Sequence, residues 1–341
     1  MKTLCIGSSL LEITCAVPGV IEENQTVRLE NKIECGGGHA GNVAYLLGKW
    51  GVESYIASMM GADDTASRIK KEYEAIGVHT DFIETSYDKP TSQAIVIVNT
   101  TNKNKTTLEI ANNSYLKKYS FTVEPDIIIA DGNDFNATVA AFDRYPKATS
   151  YLMVSRSNNE VLELCKYVGN IIFNLEMAEV FSGGKIDFNN PGTIVNVYNK
   201  LKQKFSKSEI VITLGERGCV YSINGQVKIM PPVVVKIEDT NGAGDTFAGA
   251  YIYGMGRGFG LEKSIAYANI AASLSTTKMT SRLSIPSLTE VSSYYDTKFG
   301  PQNNPNNTNA GVGQNPANNT ANNVTNNVSN VGNNINQNVN R

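Results

Sequence analysis

Along residues 1–214, short apolar runs alternate with stretches whose apolar residues recur at helical spacing. The runs at 3–6, 54–60, 126–130, 151–154, 170–173 and 210–214 read as buried strands, and 41–49, 64–76, 160–167 and 193–205 read as helices. Strand and helix in alternation predict an α/β fold, with a central, mostly parallel sheet flanked by helices. Two stretches, 11–33 and 91–108, show alternating strand character with no helix between. They predict a small antiparallel β lid inserted into the α/β body, or else an edge hairpin with no lid role. A lid beside a crevice suits a reaction from which water must be kept out.

Near residue 300 the composition changes. From there to residue 341 the chain is Asn-rich and almost uncharged. Such a segment buries too little apolar surface to offset chain entropy, so the expected division is a folded domain over 1–299 and a disordered tail over 300–341. Asn-rich tracts also self-associate through amide ladders, a second expectation for the tail.

The 341 residues are 41% hydrophobic and 18% charged, with a formal net charge of -2. Near-neutral charge gives no electrostatic case for nucleic acid or an anionic membrane as a partner. Five scattered cysteines, Cys5, Cys15, Cys35, Cys165 and Cys219, lack the spacing of disulfide or zinc frameworks and read as reduced, buried thiols. The apolar N-terminal run reaches Glu12 before it is long enough for a signal peptide, and no later run spans a bilayer. The expected location is cytoplasmic.

Candidate chemistry concentrates in Asp239-Thr240-Asn241-Gly242-Ala243-Gly244-Asp245-Thr246-Phe247. This stretch follows a strand-like run at 233–237 and opens a helix of small and apolar residues at 246–253. Gly-Ala-Gly turns the backbone tightly and leaves bare amides at a helix N-terminus, which suits an anion. Asp245 then stands beside that anion as a proton acceptor, or simply caps the helix. In a loose phosphoryl-transfer transition state an alcohol loses its proton late, so a placed carboxylate suffices. No G-x-x-x-x-G-K-[ST] occurs, and two histidines, His39 and His79, make histidine-centred triads and multi-His metal sites poor expectations.

A second glycine-rich stretch, Gly36-Gly37-Gly38-His39-Ala40-Gly41-Asn42-Val43-Ala44, opens the first long helix. Glycine admits a ligand close to the backbone, and an amide side chain donates to and accepts from hydroxyls. The stretch also matches the dinucleotide fingerprint G-x-G-x-x-G. That fingerprint needs a buried strand before it, whereas residues 27–35 carry Arg28, Glu30, Lys32 and Glu34. Thr213-Leu214-Gly215-Glu216-Arg217-Gly218 lies between two strand-like runs and taken alone is a hairpin turn.

Together the two glycine stretches resemble the signatures of the ribokinase-like (PfkB) carbohydrate kinase family, over about residues 1–286. The resemblance implies a kinase that phosphorylates a hydroxyl, with a hydroxymethyl group the expected one, of a sugar or sugar derivative. It implies Asp245 as general base and Gly242, Ala243 and Gly244 as anion hole. Gly37, Gly38 and Asn42 match substrate-binding positions, and Glu12 stands where the family usually carries an aspartate. Thr213, Leu214, Gly215, Glu216, Arg217, Gly218, Asn174 and Asn269 match the ATP site.

The resemblance implies ATP and Mg²⁺ as cofactors, with K⁺ a further expectation at Asp239 and Asn241. The family's Asn-x-x-Glu reads Asn174-Leu175-Glu176-Met177 here, which leaves Glu176 or Glu179 to serve magnesium. The glycine expected shortly before Ile285-Pro286 is absent, with Thr280 or Ser281 in its place. Expected partners are a small-molecule sugar and a second copy of the chain, paired through the lid. A nucleoside kinase on the same scaffold and a catalytically inactive ligand sensor are the alternative readings.

Overall fold

The computed structural model describes residues 1–29 and 32–300. The Asn-rich segment 301–341, where the disordered tail is expected, lies outside the described residues.

The chain opens with β1 (Lys2–Ile6), passes through β2 (Leu10–Val17) and β3 (Lys32–Gly37), and enters α1 (His39–Lys49). β4 (Glu53–Gly61), α2 (Asp64–Glu74) and β5 (Val78–Ser86) follow, then the pair β6 (Gln93–Asn99) and β7 (Lys105–Ile110). Next come β8 (Ile127–Ala130), α3 (Phe135–Arg144), β9 (Thr149–Val154), α4 (Asn159–Tyr167) and β10 (Asn170–Asn174). After α5 (Leu175–Ser182), α6 (Pro191–Lys204) and β11 (Glu209–Thr213), β12 (Cys219–Ile223) and β13 (Gln226–Met230) form a hairpin. Three helices end the described chain: α7 (Ala243–Gly256), α8 (Leu261–Ser275) and α9 (Leu288–Phe299).

The large sheet has the order β13-β12-β11-β10-β9-β8-β1-β4-β5. Its strands run parallel from β11 to β5, and β12 and β13 add an antiparallel edge. The continuous apolar strands make this possible: β8, Ile-Ile-Ile-Ala, is buried at every position, as a strand covered on both faces must be. The lid is a four-stranded sheet, β3-β2-β6-β7. Its outer pairs, β2–β3 and β6–β7, are antiparallel, and the central β2–β6 pair is parallel. β6 alternates buried and half-buried residues, while β7 is exposed throughout and forms an edge.

On one face of the large sheet, α1, α7 and α8 pack together, with Trp50 edge-on to Tyr253 at 5.0 Å. Residues 245–254 of α7 are all buried, which explains a helix that is small and apolar all round rather than striped. The run at 233–237, expected as a strand, is irregular: Val233 is buried, but Val234 is 91% exposed. β5 escaped the apolar-run criterion because His79, Asp81 and Glu84 interrupt it, as an edge strand of the sheet allows.

Candidate active site

Gly242 caps α7 in the left-handed region (φ 73, ψ -1), a conformation that glycine adopts without steric cost. A Cβ there would stand 2.6 Å from the Cβ of Ser281. The turn leaves the amides of Gly244 and Asp245 without intrahelical acceptors, at the positive end of a 14-residue helix. Nothing lies within 4 Å of the Cβ position on Gly244, so this end of the helix is open to a ligand.

Asp245, in the first turn, is 8% exposed. Asn42 Nδ2 donates to its Oδ2 at 2.8 Å, and His39 Nδ1 meets its Oδ1 at 2.7 Å. The N-termini of α1 and α7 thus converge on one carboxylate. The neighbouring Asp245 carboxylate pushes the His39 imidazole up to about 9, against partial desolvation, and so favours its protonated form.

The glycine stretch that leads into α1 is held from behind. Arg282 is fully buried and donates to Glu72 Oε2 (2.9 Å), the Tyr73 hydroxyl (2.9 Å) and the Gly37 carbonyl (3.3 Å). Glu72 Oε2 in turn accepts the Gly36 amide at 2.9 Å. A Cβ on Gly36 would collide with the Arg282 guanidinium, so this glycine is required by close approach. On the other side Asp131, fully buried just past β8, accepts the amide and hydroxyl of Ser8 and the amide of Ala40.

A cleft of about 380 Å³ lies between the lid and these helix ends, lined among others by Glu12, His39, Asn42, Lys105, Arg156 and Asp245. That volume is in the range of small-molecule sites. Gly38, Asn241, Gly242 and Gly244 border the same space, so the cleft brings together Glu12, Gly38, Asn42, Gly242, Gly244 and Asp245 of the residues expected from sequence, while Gly37 and Ala243 do not line it. Glu12 is buried at 4% exposure. Its carboxylate takes both the amide (3.1 Å) and the hydroxyl (2.7 Å) of Ser281. It borders the cleft with both oxygens already engaged.

Of the residues expected at the ATP site, Asn174 and the 213–218 turn lie at the carboxyl ends of the parallel strands β10 and β11, where α/β sheets bind ligands, while Asn269 lies within α8. Asn174 and Thr213 are paired neighbours at the ends of β10 and β11. Asn174 caps α5 through the Met177 amide at 2.7 Å. Residues 215–217 make a single 3-10 turn, and Gly218 (φ 86) passes so close to the Met230 carbonyl that no side chain fits. Asn269 is buried, and its amide nitrogen faces the carbonyls of Met230 and Pro231 at 3.3 and 3.4 Å. It ties α8 to the end of β13.

The metal expectations meet obstacles. Glu179 accepts the Ile186 amide at 2.8 Å and pairs with Lys185 at 2.6 Å, so its carboxylate is committed to the loop after α5 and does not fit a magnesium role. Glu176 is exposed in the first turn of α5. Asp239 accepts the amides of Asn241 (2.8 Å) and Thr280 (2.9 Å), and Asn241 Oδ1 accepts Lys105 Nζ at 3.0 Å. With an ammonium already at Asn241, these side chains do not fit a potassium site. Among the described residues no three His, Cys, Asp or Glu side chains are grouped to hold a metal.

His39, Asp131 and Arg282 were not candidates on sequence grounds. His39 had a signal, since it sits inside the glycine stretch. Asp131 and Arg282 are lone charges whose partners are distant in sequence, and no local pattern marks them.

Residues 2–288 match the model of the pfkB family carbohydrate kinases. A ribokinase from Staphylococcus aureus is 24% identical over 301 residues, covering 85% of this chain and 98% of its own length. Two solved structures superpose over nearly their whole length. Arabidopsis thaliana ribokinase complexed with ribose and ATP has a TM-score of 0.67 at 18% identity, covering 86% of this chain and 97% of its own. Burkholderia thailandensis nucleoside kinase in complex with inosine has a TM-score of 0.72 at 19% identity, covering 88% and 99%.

Proposed function

This chain belongs to the pfkB family of carbohydrate kinases, and from that premise we propose that it moves the γ-phosphoryl group of ATP onto a hydroxymethyl group of a sugar or sugar derivative, with Asp245 as general base. The observation that carries the reading is the junction at Gly242–Asp245. Open amides at the start of α7 adjoin a fixed carboxylate, on a cleft that also reaches Glu12 and Asn42. The acceptor oxygen forms its bond to phosphorus as the bond to ADP breaks, and the acceptor's proton passes late to Asp245. The amides of Gly242, Ala243 and Gly244 stabilise charge on the transferring group.

Gly37, Gly38 and Asn42 form the acceptor side, with Glu12 at its border. The 213–218 turn, Asn174 and Asn269 border the nucleotide side. Magnesium would enter on the triphosphate, whose charge it neutralises, and Glu176 is the exposed carboxylate beside Asn174. Five free, buried cysteines support a reducing, cytoplasmic setting, and no helix among the described residues is long and apolar enough to cross a membrane. The open edge strand β7, with Leu108 and Ile110 about half exposed, supports pairing of two copies through the lid.

The resemblance to a nucleoside kinase with inosine keeps nucleosides as the second acceptor class. One experiment tests both parts. Sugars, sugar phosphates and nucleosides are screened for acceptor-dependent ADP release, with the wild type and Asp245→Asn side by side. A sugar should be turned over by the wild type, and Asp245→Asn should keep nucleotide binding while turnover collapses. Undiminished turnover in that variant removes Asp245 from the role of base, and turnover of nucleosides alone replaces the sugar assignment.

A further inference from the structure

His39 has no part in the base and anion hole as so far described. It is the first residue of α1, and its backbone amide donates to Ser8 Oγ at 3.0 Å. Its ring reaches across to α7, where Nδ1 meets Asp245 Oδ1 at 2.7 Å. Asn42, one helical turn on, holds the other oxygen, so two neighbouring side chains of α1 fix the carboxylate. The imidazole is 44% exposed and lines the cleft, and its Nε2 meets no hydrogen-bond partner among the described residues.

The charges around the ring come from several elements. Asp245 on α7 and Asp131 beyond β8 favour the imidazolium, while Arg156 beyond β9 opposes it. Glu12 on β2, with Lys105 and Glu109 on β7, lines the same cleft. The carboxylate at 2.7 Å dominates and pushes the imidazole up to about 9. At neutral pH the ring is therefore a cation with a proton on each nitrogen, Nδ1–H spent on Asp245 and Nε2–H on the cleft side. It sits within one side-chain contact of the anion hole, because Asp245 directly follows Gly244.

We propose that His39 is a catalytic residue of the transfer: its Nε2–H donates to an oxygen of the phosphoryl group in flight, while Asp245 holds Nδ1. The inference rests on the reading of Asp245 and Gly242–Gly244 as the transfer site. The proton balance is unchanged: the phosphorus–oxygen bond to ADP breaks, the bond to the acceptor forms, and the acceptor's proton goes to Asp245. His39 keeps both of its protons and supplies charge where charge moves.

With two histidines in the chain, proton NMR can follow each imidazole separately. His79, stacked on Tyr55 at 4.3 Å, serves as internal reference. One resonance should titrate near pH 9 in the wild type and near the ordinary value of about 6.5 in Asp245→Asn. In kinetics, His39→Ala should lower kcat about a hundredfold, the usual loss for one transition-state donor, with both KM values nearly unchanged. The wild-type decline in kcat as pH rises through 9 should vanish in that variant. His39→Lys, which restores a cation, should recover part of the rate and carry the alkaline decline to higher pH. Wild-type kcat in His39→Ala, an alkaline limb that survives it, or a His39 resonance titrating at the ordinary value would each overturn the proposal. If Asp245→Asn is inactive while His39→Ala is not, the His39 role alone fails; if Asp245→Asn remains active, the underlying reading fails.

Discussion

Arg282 gives the sharpest test of how the glycine stretch is held. Its side chain is 0% exposed and donates to Glu72, Tyr73 and the Gly37 carbonyl, with its guanidinium 4.5 Å from the Tyr73 ring centroid and 5.0 Å from that of Tyr45. Arg282→Met keeps most of the stem volume and removes the charge. Breaking a buried pair by deleting one partner costs about 3–5 kcal/mol. Glu72 is 32% exposed, so water takes up part of its charge, and the lower end, about 3 kcal/mol, applies. For a domain of this size each kcal/mol lowers Tm by about 2 °C, so the expected fall is about 6 °C.

The assay is a double-mutant cycle with Glu72→Gln, read by thermal and urea unfolding. Glu72→Gln alone leaves a fully buried cation without its partner and should cost a similar amount. The amide retains an acceptor for the Gly36 amide, so the double variant should be less destabilised than the sum by about 2 kcal/mol. Because Arg282 and Glu72 hold Gly37 and Gly36, the single variants should raise KM for the acceptor well before KM for ATP. Strict additivity, or a Tm of Arg282→Met within a degree of the wild type, would refute the claim that this pair braces the acceptor side.

Two further substitutions probe the anion hole and its support. Gly242→Ala forces a side chain into a left-handed conformation at φ 73 and against Ser281 at 2.6 Å, so kcat should fall at least about a hundredfold with the circular dichroism spectrum retained; normal kcat would show that the turn is not held as described. Glu12→Asp withdraws the carboxylate from Ser281 and should cost about 2 kcal/mol of stability through two lost charge-assisted hydrogen bonds in a buried site; unchanged urea unfolding would leave Glu12 with acceptor contact alone.

The strand–helix alternation was legible because parallel strands buried on both faces must be continuously apolar. The runs at β1, β8, β9, β10 and β11 carry that mark. The lid was legible from its alternation, although the parallel β2–β6 pairing was not, since side-chain period is the same in either direction. The run at 233–237 misled for the converse reason: apolarity there serves a connection, with Val233 packed inward and Val234 left in solvent. The proposed base and anion hole stand out in the sequence because glycines and a carboxylate lie within four residues. What the sequence could not display are contacts between remote segments: His39 with Asp245, 206 residues apart, Arg282 with Glu72, 210 apart, and Ser8 with Asp131, 123 apart. Each is a pair of ordinary residues until the fold joins them.

Two departures from the family pattern, Glu12 for the usual aspartate and Thr280-Ser281 for the expected glycine, meet in the structure. The longer acid reaches the Ser281 amide and hydroxyl, and a glycine at 281 would leave it only the amide. Beside it Thr280 is held at φ 77, a costly conformation for a β-branched residue, on the order of 1–3 kcal/mol. That conformation goes with an amide aimed at Asp239, whose other oxygen holds the Asn241 amide just before the anion hole. Asn241 is in turn bonded to Lys105 on β7. The chain of bonds therefore leaves the lid at Glu12, passes behind the Gly242–Asp245 turn, and returns to the lid at Lys105. The small sheet and the Gly242 turn are thus joined by side-chain bonds at two separate points, Glu12–Ser281 and Lys105–Asn241.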